Sequence, residues 1–303
     1  MRSHVELVHE KDLIWHTAEL PRGEGRARQQ NLSYDEEDGS GSFKIYFETE
    51  WGRPAGYHNA DTEWYVINGK VRLGEIDFGP GGYWRAPAGL SVPAMKVAAD
   101  TEILLFREYD DWGFSVSESD KSDFISKGNN TVSTEPGSLT IHHTAQMDFV
   151  GNLPERGLTQ QFLTKKDLFY DWEQGDHRKG FRTFICHAPA GWADERLMHH
   201  PVWEEAYCID GTMTYNYGPI SPGAYFWRPS LVKHGSFLAD NETGTTWIFR
   251  VDGELINWVT HEVGFEVLGR AENYDPADPL EAPVIAGIPT RSKSIGPWDG
   301  YGR

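Results

Sequence analysis

The sequence predicts an all-β protein built from two similar units in tandem. Three observations carry this. Short runs rich in Val, Ile, Thr, Tyr, Phe and Trp alternate with clusters of Gly, Pro, Asn and Asp, as in the stretches from Glu63 to Leu73 and from Thr212 to Pro219. No apolar stripe of helical period persists for three turns, and 32 Gly, 17 Pro and 12 Trp suit short strands punctuated by turns. The blocks of the first half also recur, in the same order, in the second. Strands so spaced favour a sandwich or barrel.

Taken in order, the first half runs F-K-I-Y-F from Phe43, Y-H-N-A-D-T-E-W-Y-V-I-N-G from Tyr57, G-P-G-G-Y-W-R-A-P from Gly79 and I-L-L-F-R-E from Ile103. The second runs F-R-T-F-I from Phe181, H-H-P-V-W-E-E-A-Y-C-I-D-G from His199, S-P-G-A-Y-F-W-R-P from Ser221 and T-W-I-F-R-V from Thr246. A fainter echo precedes both: L-P-R-G at Leu20 with Gln29-Gln30, and L-P-E-R-G at Leu153 with Gln160-Gln161. Duplication of a unit of roughly 130 residues explains the pattern, a common domain size. The division falls at 1–133 and 134–303. The polar, turn-rich stretch from Ser117 to Ser138 reads as the linker. The Pro-, Gly- and Asp-rich tail after Gly269 reads as a wrap or loose end.

Composition narrows the function. With 39% apolar and 13% aromatic residues the chain is not a disordered one. A formal charge of −18 argues against nucleic acid and anionic membranes as partners. Two cysteines, Cys186 and Cys208, make neither a disulfide framework nor a CxxC pair. The N-terminus carries charges where a signal peptide needs an apolar run, and no stretch reaches ~18 consecutive apolar residues. The expectation is a cytoplasmic protein. A homodimer is compatible with its acidic, aromatic-rich surface.

The chemistry concentrates between Met198 and Ser236. His200 and Glu204 lie four apart, and His234 follows after two turns. Two imidazoles and a carboxylate form a three-ligand set that leaves positions open on the ion. If His200 and Glu204 share a strand, their even spacing puts both on one face. Met198, Ala206 and Cys208 share that parity, and Glu205 does not; it reads as a surface or interface residue.

In these residues the chain resembles the cupin superfamily, whose first motif is G-x5-H-x-H-x3-4-E-x6-G and whose second is G-x5-P-x-G-x2-H-x3-N. Glu204 stands seven before Gly211, His200 four before Glu204, Gly223 six before Pro229, and His234 five after Pro229. The W-E-E stretch followed by Y-F-W-R-P and a histidine also resembles the ChrR-like branch of cupins. Three motif positions depart: Met198 for the first histidine, Leu231 for the second glycine, Leu238 for the asparagine. In the first copy His58 aligns with His200, but Thr62 replaces Glu204 and Val92 replaces His234, so its site is degenerate.

The resemblance implies two tandem cupin-type jelly-roll barrels, a bicupin, with one metal in the C-terminal half. The metal set is His200, Glu204 and His234. Fe(II) is the expected ion, with Zn, Mn or Ni as alternatives. The expected activity is a dioxygenase acting on a small chelating molecule such as a hydroxyketone, diketone or phenol. A redox-neutral lyase, isomerase, cyclase or hydrolase, or a non-enzymatic sensor, fits the same ligands. Glu204 and Arg228 are the catalytic candidates, Arg228 as a clamp for an anionic group or a surface ion pair. Met198, Cys208, Phe226 and Tyr215 are pocket candidates. His199 substitutes for the missing imidazole only if its strand is bulged.

Overall fold

The computed structural model describes residues 2–108, 112–117, 138–151, 163–171, 180–263 and the short pairs 284–285 and 288–289. Most of the linker and tail, together with the Leu153 and Gln160-Gln161 echo, lie outside the described residues. The described chain is strand and turn, with two single-turn 3-10 segments at Glu10–Asp12 and Thr144–Gln146. No helix among the described residues is long and apolar enough to cross a membrane.

The chain divides into two compact units. The first comprises Met1–Arg2 and Ile14–Met147, the second Ser3–Leu13 and Asp148–Arg303. Each has a seven-stranded antiparallel sheet. In the first unit its order is Thr140–His143, Gly82–Ala86, Asp61–Asn68, Thr101–Glu108, Gly41–Phe47, Ala27–Tyr34 and His16–Thr17. In the second it is Val5–His9, Ala224–Arg228, Glu204–Gly211, Thr245–Val251, Arg182–Ala188, Thr164–Tyr170 and Val150–Gly151. The repeated sequence blocks occupy equivalent places: Phe43 and Phe184 sit on matching strands, as do Trp84 and Phe226.

A smaller sheet covers each larger one. Trp51, Val71, Leu73, Met95 and Val97 of the first unit's four-stranded sheet share a core with Phe43, Ile45, Trp64, Ile103 and Leu105 of its seven-stranded sheet. In the second unit, Met213, Tyr215 and Phe237 of the five-stranded sheet meet Ala206, Cys208, Phe226 and Trp247. The architecture is the expected all-β jelly roll. Residues alternating along each strand explain it, since every second side chain enters the space between sheets.

One feature escapes a division at 133/134. The edge strand Val5–His9, from the start of the chain, pairs with Ala224–Arg228 in the second unit. Thr140–His143, from the start of the second repeat, pairs with Gly82–Ala86 in the first. Each copy's leading strand thus completes the other copy's sheet. Strand periodicity reports that a segment is extended, not which edge it joins.

Candidate metal centre

His200 and Glu204 do not share a strand. His200 follows the strand Ala193–His199 of the five-stranded sheet, and Glu204 opens the strand Glu204–Gly211 of the seven-stranded sheet. Pro201, Val202 and Trp203 turn the corner between them. The two side chains meet across that corner rather than along one face, which corrects the parity argument. The His200 carbonyl accepts from the Leu231 amide at 2.7 Å. Leu231 has φ +68°, and this explains why the motif prefers glycine there. The first unit repeats the contact: the Gly89 amide donates to the His58 carbonyl at 2.8 Å, with Gly89 at φ +74°. His58 and His200 are therefore structural equivalents.

His234 begins its own strand, His234–Ala239, opposite Met198. The three candidate ligands converge and are buried. His200 Nε2 lies 3.1 Å from His234 Nε2 and 3.6 Å from Glu204 Oε1, and His234 Nε2 lies 3.0 Å from the same oxygen. Ligands ~2.1 Å from one ion stand ~3.0 Å apart in a cis octahedral pair and ~3.4 Å apart in a tetrahedral one. Two of the three separations fall in that range, and the third, 3.6 Å between His200 Nε2 and Glu204 Oε1, lies just above it.

Proton placement strengthens the fit. His200 Nδ1 donates to the Ile256 carbonyl at 3.1 Å and His234 Nδ1 to the Val232 carbonyl at 3.0 Å. A carbonyl only accepts, so both Nδ1 atoms carry their proton. Burial, helped by the charge of Arg228 and by His200, holds His234 well below the ordinary imidazole range. With both Nδ1 atoms so committed, the two Nε2 atoms and a carboxylate oxygen are turned toward one another. Three such donor atoms at this distance repel unless a cation, a proton or a metal ion, lies among them. The donor set and its orienting carbonyls fit a divalent ion.

Arg228 lies buried between two acids, not at the surface. It is 1% exposed and its donors are engaged. Nη1 donates to Glu204 Oε1 at 2.5 Å, Nε to Glu6 Oε2 at 2.8 Å, and Nη2 to Glu6 Oε1 at 2.9 Å and the Tyr215 hydroxyl at 2.7 Å. Phe226 packs under the guanidinium, 3.5 Å from ring centroid to Cζ. The guanidinium is thus committed to Glu204, Glu6 and Tyr215, and Arg228 positions Glu204. Burial, which by itself would lower its affinity for the proton, is outweighed by Glu6, Tyr215 and Glu204, so it stays charged. Glu6 from the N-terminal strand was not a sequence candidate: one acid among apolar neighbours gives no spacing signal. Burial raises its carboxyl, but Arg228 and His4 outweigh it and hold it at about 2. Glu6 and Glu204 thus both face Arg228, and His4 Nε2 meets the far side of Glu6 at 3.0 Å.

The other candidates divide. Tyr215 and Phe226 flank Arg228. Met198 is buried and lies across the ladder from His234. Cys208 is fully buried in the apolar core with Ala206 and Trp247, and its thiol faces the Asp210 carbonyl at 3.7 Å. The strand carrying His199 does shift register, yet His199 stays out of the cluster and packs edge-on against Trp258 at 5.4 Å. Glu205 faces the opposite side from Glu204, as parity requires, but it is buried rather than at the surface. It accepts from the Tyr225 hydroxyl at 2.6 Å and from Arg250.

The fold places the chain in a class. A "putative dioxygenase" from Nostoc punctiforme PCC 73102 is similar over 85% of this chain and 87% of its own, with 18% identity and a TM-score of 0.69. Protein Ylba from E. coli is similar over 82% and 93%, at 17% identity and TM-score 0.54. A mutant of Bacillus subtilis oxalate decarboxylase is similar over 84% and 78%, at 14% identity and TM-score 0.51. These likenesses define a cupin fold. No protein of curated function matches the sequence. Within that class the chain belongs to the family described as a domain of unknown function, DUF4437, which matches residues 6–258.

Proposed function

We propose that the second unit is a metal-dependent cupin enzyme, the working half of a bicupin with a ChrR-like signature. His200, Glu204 and His234 hold one divalent ion, with Fe(II) favoured and Zn, Mn or Ni as alternatives. The reaction is a dioxygenase oxidation of a small chelating molecule, a hydroxyketone, diketone or phenol. One observation carries the reading: three buried acceptor atoms converge, each imidazole with its other nitrogen already committed to a carbonyl. Fold similarity to the Nostoc protein favours oxygen chemistry over the redox-neutral reactions.

When bound, the ion supplies Lewis acidity and a redox couple. The chain supplies the rest. Ile256 and Val232 carbonyls fix the imidazoles in the Nδ1–H tautomer, so that Nε2 faces inward. Arg228 holds Glu204 in one orientation, and Glu6 and Tyr215 hold Arg228. Burial of all these groups excludes water and strengthens each charge interaction.

The test is elemental analysis of full-length protein purified without added metal, then oxygen uptake with chelating substrates. The expected result is one iron per chain and substrate-dependent oxygen consumption. Glu204→Ala should lose the metal yet stay folded, because Glu6 and Arg228 remain as a balanced pair. Undiminished metal in Glu204→Ala would overturn the ligand set. Turnover with no oxygen consumed would overturn the dioxygenase.

A further inference from the structure

Met198 is the ladder partner of His234. Directly opposed residues of an antiparallel pair send their side chains to one face, with Cβ atoms about 4.5–5.5 Å apart. The pairing is in step at this point: Leu197 stands opposite Gly235 and Met198 opposite His234, and the irregularity with this partner strand lies earlier, between Asp194 and Leu197. His234 faces the three converging ligand atoms, so Met198 faces them too, and it is buried. Its neighbour His199 takes the other face, against Trp258, as alternation along a strand requires.

The first unit holds the same ladder pair with different residues. Gly56 stands opposite Val92, and the two exchange both backbone hydrogen bonds at 3.0 and 2.7 Å. His58 follows Gly56 by two positions, as His200 follows Met198. A Cβ at Gly56 would stand 2.1 Å from the Ser115 carbonyl oxygen, so that place is closed to any side chain. The unit with one imidazole thus has glycine and valine at this pair. The unit with three converging ligands has methionine and histidine.

Leucine would fill a buried apolar position as well. What methionine adds is a flexible reach and a sulfur lone pair. A thioether is a neutral, soft donor with no proton to lose, so it needs no orienting carbonyl and adds no charge. Soft sulfur favours Cu(I) and disfavours hard ions such as Mn(II).

We propose that the Met198 sulfur is a fourth donor of the metal centre. Its role presupposes the ligand set His200, Glu204 and His234 and adds a soft member to it. Among the candidate ions, that member speaks against Mn.

The test is X-ray absorption at the iron edge of full-length protein loaded with Fe(II) without oxygen, beside Met198→Leu. The exchange conserves volume and is well tolerated in cores. Wild type should show one sulfur neighbour per iron, and the variant none. Competition against a chelator adds a second measure. The variant should lose about tenfold or more in Cu(I) affinity and change less than about threefold toward Mn(II). The wild-type spectrum decides alone if the variant does not fold. Iron bound with no sulfur neighbour, a sulfur signal that persists in Met198→Leu, or equal Cu(I) affinity in both proteins overturns the proposal and leaves the three-ligand set standing. A wild type that holds none of these ions overturns the ligand set itself, and the role of Met198 with it.

Discussion

Replacing Glu6 by Gln tests whether the N-terminal strand supports the metal centre. Glu6 is 1% exposed and grips Arg228 through both oxygens, with Nε contacts of 3.0 and 2.8 Å. Its carboxyl is held at about 2 against an ordinary 4.5. That difference corresponds to about 3 kcal/mol of stability. Breaking one partner of a buried ion pair gives a similar figure, about 3–5 kcal/mol. The sign follows from the depressed value: the contribution is complete above about 4.5 and is lost as pH falls through about 2. Native hydrogen exchange of amides in Val5–His9 and Ala224–Arg228 measures the opening free energy of this sheet edge. Wild type should exceed Glu6→Gln by about 3 kcal/mol at pH 7, with the gap closing between pH 5 and pH 2. Metal affinity should fall as well, by about 10–100-fold, because Arg228 then draws on Glu204 alone. A difference under 1 kcal/mol at pH 7, or one indifferent to pH, would refute the reasoning.

Further predictions address the turns and the thiols. Gly89→Ala should cost about 1 kcal/mol in denaturant unfolding: its φ is +74°, yet a Cβ there meets nothing within 4 Å, so only backbone strain acts. Gly211→Ala should cost several times more, because its Cβ would stand 2.0 Å from the Gly244 carbonyl oxygen. Neither thiol should react with iodoacetamide in the native protein at pH 8, and both should react once unfolded, as read by intact mass. Burial pushes Cys186 up to about 12 and Cys208 still further.

The fold class was legible because strand punctuation and an internal repeat are properties of short stretches. The convergence of His200, Glu204 and His234 was legible from motif spacing, although shared strand parity is not its cause. Even spacing on one strand is not what joins His200 to Glu204; a corner at Pro201 is. Parity separated Glu205 from Glu204 correctly, yet parity says nothing of depth. Both faces of this strand are covered, so Glu205 is buried too. Arg228 was visible as a cation in the right strand, but its saturation by Glu6 was not, since its partner lies 222 positions away. Contacts of that range leave no local pattern.

The same limit explains how the two units diverged. Their frameworks match down to the amide that binds the His58 or His200 carbonyl, so backbone geometry cannot set what each site accepts. Charge balance can. The second unit adds Glu204 and Glu6 around Arg228 and ends with an excess of acceptors. The first keeps Thr62 and Ala86 at the matching ladder positions and brings in Arg53 from another strand, ending with an excess of donors. Glu6 comes from the leading strand exchanged between repeats; in the other copy Thr140 stands opposite Arg85 as Val5 stands opposite Trp227, so the apolar Ile141 takes the place of Glu6. A few substitutions on one framework are thus enough to reverse the balance of donors and acceptors left in each interior.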